Sequence, residues 1–180
     1  YKIEDFAIES IWQDNINLKD YEKLNNFFWF FSLDLKSSKK TTQSVITNWI
    51  NNNDRYNSKS WDFDITAKRI ISWLSIHQLS YENANEKYRL KFNHIIQKQV
   101  NHLLNEINNS DEVENKMIGC AAIILTGLAY QDEKNYLSNG LNLLRKIIKS
   151  SIDNQGFPKS RSINQLNFYL KYFIIIREWF

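Results

Sequence analysis

The sequence predicts an all-α chain built from antiparallel helix hairpins. Apolar residues recur at three- and four-residue steps through most of its length, the spacing that lines one face of a helix. Only 4 Gly and 1 Pro occur in 180 residues, too little turn vocabulary for a fold of many short strands. The breaks between periodic segments are short and rich in Asn and Ser, which suits neighbouring helices that reverse direction. With 43% hydrophobic residues a chain of this length can bury one sizeable core, so residues 1–180 are expected to form a single helical domain.

The clearest element is expected from Glu86 to Ile107, where Tyr88, Phe92, Ile95, Ile96, Val100, Leu103 and Leu104 mark one face. Asn108-Asn109-Ser110 ends it. Ser110-Asp111, followed by Glu112 and Glu114, places acids at the positive end of the next helix dipole. That helix carries Val113, Met117, Cys120, Ile124 and Leu128, with small residues Gly119, Ala122 and Gly127 that let a neighbour come close. After a joint at Gln131-Asp132, Tyr136, Leu137, Leu141, Leu144, Ile147 and Ile148 form another stripe ending near Ser150-Ser151. Asp153-Asn154-Gln155-Gly156-Phe157-Pro158 is the strongest turn, and a last helix follows it. Upstream, helices are expected over Leu18–Leu35, Thr41–Asn51 and Asp64–Leu79. The alternation of helix, short joint and helix fits part of an (α/α) toroid or a stacked-hairpin solenoid. The chain begins at Tyr1 and stops inside the apolar run Phe168 to Phe180, so it is expected to be part of a longer protein.

Composition narrows function mainly by exclusion. The net charge of +3 does not force a polyanion partner, though it is compatible with an acidic substrate. No apolar run is long enough to span a bilayer, and Phe27-Phe28-Trp29-Phe30-Phe31 sits within a helical pattern. Cys120, among small residues, reads as buried packing. No HExxH, CxxC, GxSxG or glycine-rich phosphate loop occurs, and His94 and His102 lack the spacing of paired ligands, so no metal and no cofactor are expected. Lys39-Lys40 and Arg145-Lys146-Lys149 read as solvated faces without interleaved aromatics, which argues against nucleic acid.

Two segments mix functional residue types. In Trp61 to Leu74, Asp62 or Asp64 can cap a helix on which Arg69 and Trp73, four apart, share a face. A guanidinium beside an indole can hold a sugar ring and its carboxylate, with His77 one turn further as an acid/base; the competing reading makes these aromatics core and Arg69 a partner of Asp62. In the turn Asn154, Gln155, Lys159, Arg161 and Asn164 bring amides and cations to a helix start, an anion-binding lip or an ordinary loop capped by Ser160 or Ser162.

Three segments together resemble the amino-terminal helical region of the heparinase II/III-like family, in its alphaproteobacterial forms. They are Leu24-Asn25-Asn26-Phe27-Phe28-Trp29 with Asn48-Trp49-Ile50, then Trp61 through Leu74, and finally Gly156-Phe157-Pro158-Lys159-Ser160-Arg161 with Gln165-Leu166. The resemblance implies an incomplete α/α toroid, normally followed by a carboxy-terminal β-sandwich domain that this chain lacks. It also implies a polysaccharide lyase acting on uronic-acid-containing glycans by β-elimination. Such chemistry needs a neutraliser of the carboxylate, a base and an acid. Family members carry an acid-Ser-Pro-x-Tyr-His pattern at the last turn, where this chain has Lys159-Ser160-Arg161-Ser162-Ile163-Asn164-Gln165 without Tyr or His. No catalytic base is therefore carried over, and the chain alone is expected to bind an acidic polysaccharide without cleaving it. The expected contact residues are Trp61, Arg69, Trp73, His77, Asn154, Gln155, Lys159, Arg161 and Asn164. A non-catalytic helical scaffold for a protein or peptide is the alternative, with Trp61, Arg69 and Trp73 buried. A compartment, periplasmic or cytoplasmic, does not follow from the residues.

Overall fold

In a computed structural model the described residues are 12, 17–32, 39–110, 112–131 and 135–180. They form α1 (Leu18–Asn25), a 3-10 turn (Phe28–Ser32), α2 (Lys39–Asn53), α3 (Phe63–Ser75), α4 (His77–Ser80), α5 (Glu86–Glu106), α6 (Val113–Ala129), α7 (Tyr136–Ser151) and α8 (Ile163–Trp179). No strand occurs among them; one isolated bridge joins Ile152 and Pro158. The all-α expectation holds for every described segment, and none of these helices is long and apolar enough to cross a membrane. The chain divides into two compact units, residues 1–99 and 100–180, with the boundary inside α5.

In the first unit the expected helix Leu18–Leu35 is broken after Asn25. Asn17 caps α1 by accepting from the Asp20 N–H at 3.0 Å. At the other end the Asn26 side chain accepts from the Phe28 N–H at 2.9 Å, and Phe27 takes a left-handed φ of 59°. An aromatic residue accepts that conformation only when burial outweighs the strain. Phe27 is fully buried, with its ring 4.9 Å from Phe30 and 5.1 Å from Trp73. The reversal thus turns an aromatic run that periodicity reads as one helix into a plug for the core. Residues 33–38, including the expected end at Leu35, lie outside the described residues.

The expected helix Asp64–Leu79 is likewise divided. Asp62 caps α3 through the Asp64 and Ile65 N–H groups, and Ile76 leaves helical geometry before α4. Ser80 Oγ donates to the Trp73 carbonyl at 2.7 Å, satisfying a group the helix end leaves open. The core of this unit is aromatic. Trp49 and Trp73 meet edge to face at 5.5 Å, and Phe92 from α5 lies 5.7 Å from Trp73.

The second unit is centred on α6, whose residues from Met117 to Gly127 are all buried. It packs against both α7 and α8. Close approach to α7 depends on two glycines. A Cβ on Gly127 would lie 2.4 Å from the Leu137 backbone nitrogen, and one on Gly140 would lie 2.6 Å from Ile124 Cγ1. Cys120 is buried in this seam with its thiol 3.3 Å from the Gly140 carbonyl. Burial pushes its pKa up to about 12, so almost no thiolate exists near neutral pH. Asp111 and residues 132–134, part of the expected joints, lie outside the described residues.

Gly127→Ala should therefore force α7 away from α6, because the nearest atoms are backbone and cannot rotate aside. A loss of about 1–3 kcal/mol is expected in chemical denaturation. A variant as stable as the parent would mean that the two helices are not in this contact.

Candidate anion-binding groove

Of the sequence-predicted contact residues, Trp61, Arg69 and Trp73 are core residues of the first unit. Trp73 is fully buried, and Trp61 is buried with its indole N–H donating to the Asn53 carbonyl at 2.9 Å. Arg69 is fully buried, yet no carboxylate pairs with it among the described residues. Its Nη1 donates to the Asn25 and Ser60 carbonyls, both at 2.9 Å. Its Nε donates to Gln99 Oε1 and its Nη2 to Thr66 Oγ1, both at 3.2 Å. The guanidinium carbon stands 3.9 Å from the centroid of the Trp49 ring, whose own N–H donates to Asn25 Oδ1 at 2.8 Å. The anticipated partner Asp62 is instead occupied as the α3 cap. Burial pushes the Arg69 pKa down to about 9, with the Tyr21 phenol acting the other way, so the side chain remains a cation at neutral pH.

His77, at the start of α4, is exposed. Asn154, Gln155, Lys159, Arg161 and Asn164 are exposed as well, and they belong to the second unit. Asp153 organises that turn by accepting from the Gln155 N–H at 2.8 Å and the Phe157 N–H at 3.0 Å. These bonds lower the Asp153 pKa together with the neighbouring Arg161, which pairs with it at 2.8 Å. Arg161 holds a left-handed φ of 57°, and Lys159 Nζ donates to the Lys149 carbonyl at 2.9 Å. Asn154 and Asn164 are exposed. Ser162 caps α8 through the Gln165 N–H, as an ordinary helix start does. Two of the predicted cations are thus engaged in shaping the turn.

The cavity of interest lies elsewhere, between α2 and the beginning of α5. It is a groove of about 380 Å³ whose lining includes three lysines, Lys40, Lys87 and Lys91. Gln43, Ser44, Thr47, Asn85 and Tyr88 complete the lining, and no carboxylate is among these residues. Local chemistry places these side chains. Asn83 adopts a left-handed φ of 58°, which Asn tolerates, and Asn85 Oδ1 accepts from the Tyr88 N–H at 2.9 Å to start α5. Tyr88 is anchored by donating to the Ser80 carbonyl at 2.6 Å. On the other wall Gln43 Nε2 reaches the Leu79 and Glu82 carbonyls at 3.5 and 3.4 Å.

Beside the groove, Glu82 is held by Lys39 at 2.6 Å, and that contact lowers its pKa. Glu82 is therefore directed at Lys39, while Lys40 and Lys87 have no ion-pair partner among the described residues. The groove has the composition to hold an anion bearing hydroxyl groups: separated cations for charge, with amides and hydroxyls between them. The sequence reading took Lys39-Lys40 as a solvated face and gave no role to Lys87 or Lys91. Their four-residue spacing at a helix start was the available signal. Among the described residues no group of His, Cys, Asp and Glu could hold a metal. Comparison with family models, curated proteins and solved structures finds no match.

Arg69→Lys should destabilise the first unit by about 2–3 kcal/mol in urea denaturation. A lysine keeps the charge but cannot reach both carbonyls, Gln99 and Thr66 at once. Unchanged stability would place Arg69 outside the core and restore it as a ligand contact.

Proposed function

We propose that this chain is the helical portion of a heparinase II/III-like protein, part of an (α/α) toroid, and that it binds uronic-acid-containing polysaccharide in the groove between α2 and α5. One observation carries the binding reading: three lysines line that groove with neutral hydrogen-bonding side chains and no carboxylate. A uronate chain presents the complement, a carboxylate flanked by hydroxyls on each sugar. The segments quoted above for the family support the same assignment.

The groove accounts for recognition and, with its lysines, for neutralising a uronate carboxylate, which is one requirement of β-elimination. Proton abstraction has no assigned residue, so the chain binds without turnover. The role of Trp61, Arg69 and Trp73 in this reading is to hold α1, α2, α3 and α5 in place. Their burial is what the alternative, a non-catalytic helical scaffold for a protein or peptide, expects.

Titration calorimetry with polygalacturonate and with uncharged dextran separates these readings. The acidic polymer should bind, weakening as salt rises, while dextran does not. Exposed ion pairs contribute little each, so Lys87→Gln combined with Lys91→Gln should lower affinity about tenfold. The absorbance of an unsaturated uronate product should stay flat. Equal affinity of parent and double variant, or equal binding of dextran, would overturn the groove as the site.

A further inference from the structure

Two of the groove lysines belong to a longer stripe of basic residues. Along α5, Lys87, Lys91, His94 and Lys98 follow one another at steps of four, three and four residues, which keeps all four within one narrow band of the helix surface. The first three are exposed and Lys98 is half-exposed. The buried residues Tyr88, Phe92, Ile95, Ile96 and Gln99 fall on another side. The ends of the stripe are about 16 Å apart along the axis, at about 1.5 Å per residue. Only Lys87 and Lys91 belong to the groove.

The chain from α2 accompanies the stripe in the same direction. Lys91 Nζ donates to Asn51 Oδ1 at 3.1 Å, and Lys98 Nζ donates to the Asp54 carbonyl while lying 5.8 Å from the Trp61 ring. These contacts hold two ammonium groups at fixed points without neutralising them, because an amide and a carbonyl carry no net charge. Glu86, the acid of the first turn, is about 100° around the helix from Lys87, outside the band.

Resting on the groove reading, we propose that the stripe extends the site, so that the ligand is a linear polyanion of several acidic sugars recognised by its length. A single uronate meets only the groove cations, whereas a longer chain also meets His94 and Lys98. Repeated weak contacts on one connected ligand raise affinity well beyond each alone. The groove lining offers no exposed aromatic platform for bases, since Tyr88 is buried, which favours an acidic glycan over a single-stranded nucleic acid there; exposed Tyr56 stands by Trp61 near the Lys98 end.

The test is calorimetry of the whole chain with a galacturonate disaccharide and hexasaccharide. The hexasaccharide should bind at least about tenfold more tightly. Lys98→Gln should weaken the hexasaccharide about threefold and leave the disaccharide unchanged, and Lys98→Arg should restore it. Circular dichroism of each variant should match the parent. If Lys98→Gln alters both oligomers equally, or neither, the extended stripe is overturned while the groove stands. If Lys87→Gln with Lys91→Gln leaves both oligomers untouched, the groove reading fails as well. Tighter binding of an oligouridylate of equal charge would overturn the glycan assignment.

Discussion

The first unit depends on one buried cation. Arg69 brings a full positive charge into an aromatic core, where an isolated ion would cost far more than any single contact returns. What makes it tolerable is a set of oriented dipoles: two backbone carbonyls, an amide oxygen and a hydroxyl, with the face of Trp49 against the guanidinium. Each acceptor comes from a different place, namely the end of α1, the loop before α3, α3 itself and α5. The charge can be satisfied only if all of these arrive together, so a local need becomes a constraint on the whole unit. Asn25 has a part on both sides, its carbonyl accepting from Arg69 and its side chain accepting from Trp49.

That constraint also explains where the sequence was legible. Periodicity placed α5, α6 and α7 closely, and Glu86 is the first residue of α5 in both readings. In such helices the apolar stripe and the local propensity agree. It failed between Asn25 and Phe28, where the composition reads as helix but the core needs an aromatic ring at a point that a straight helix cannot reach. Phe27 meets that need through a positive φ, a tertiary demand that no local pattern announces. Ile76 is a second instance, since the divided helix lets Ser80 and Tyr88 complete the hydrogen bonding around Trp73 and Ser80.

The Trp61 to Leu74 segment suggested either Arg69 and Trp73 facing a sugar or a core in which Arg69 pairs with Asp62; in the structure Arg69 is buried against Trp49, and Asp62 caps α3. Whether such a pair faces a ligand or the interior depends on burial, which spacing on a single helix does not specify. The groove was harder to read for the opposite reason. Lys40 comes from α2 and Lys87 and Lys91 from α5, so its positive lining exists only after the two helices are side by side. Taken singly, each lysine is indistinguishable from an ordinary solvated residue.

The two kinds of cation are suited to their separate places. A planar guanidinium has five donors in a rigid fork and is weakly hydrated, so it can be desolvated and shared among several fixed acceptors. An ammonium is compact and strongly hydrated on a flexible stem, which suits an exposed position where it keeps most of its water. Replacing Arg69 by a lysine and the groove lysines by arginines would therefore not preserve the arrangement. The core would lose its fork, and the groove would gain planar groups that compete for Asn51, Asn85 and Gln43. The rigid cation ties α1, α3 and α5 together, and it is the side-by-side placement of α2 and α5 that brings the groove lysines into one lining.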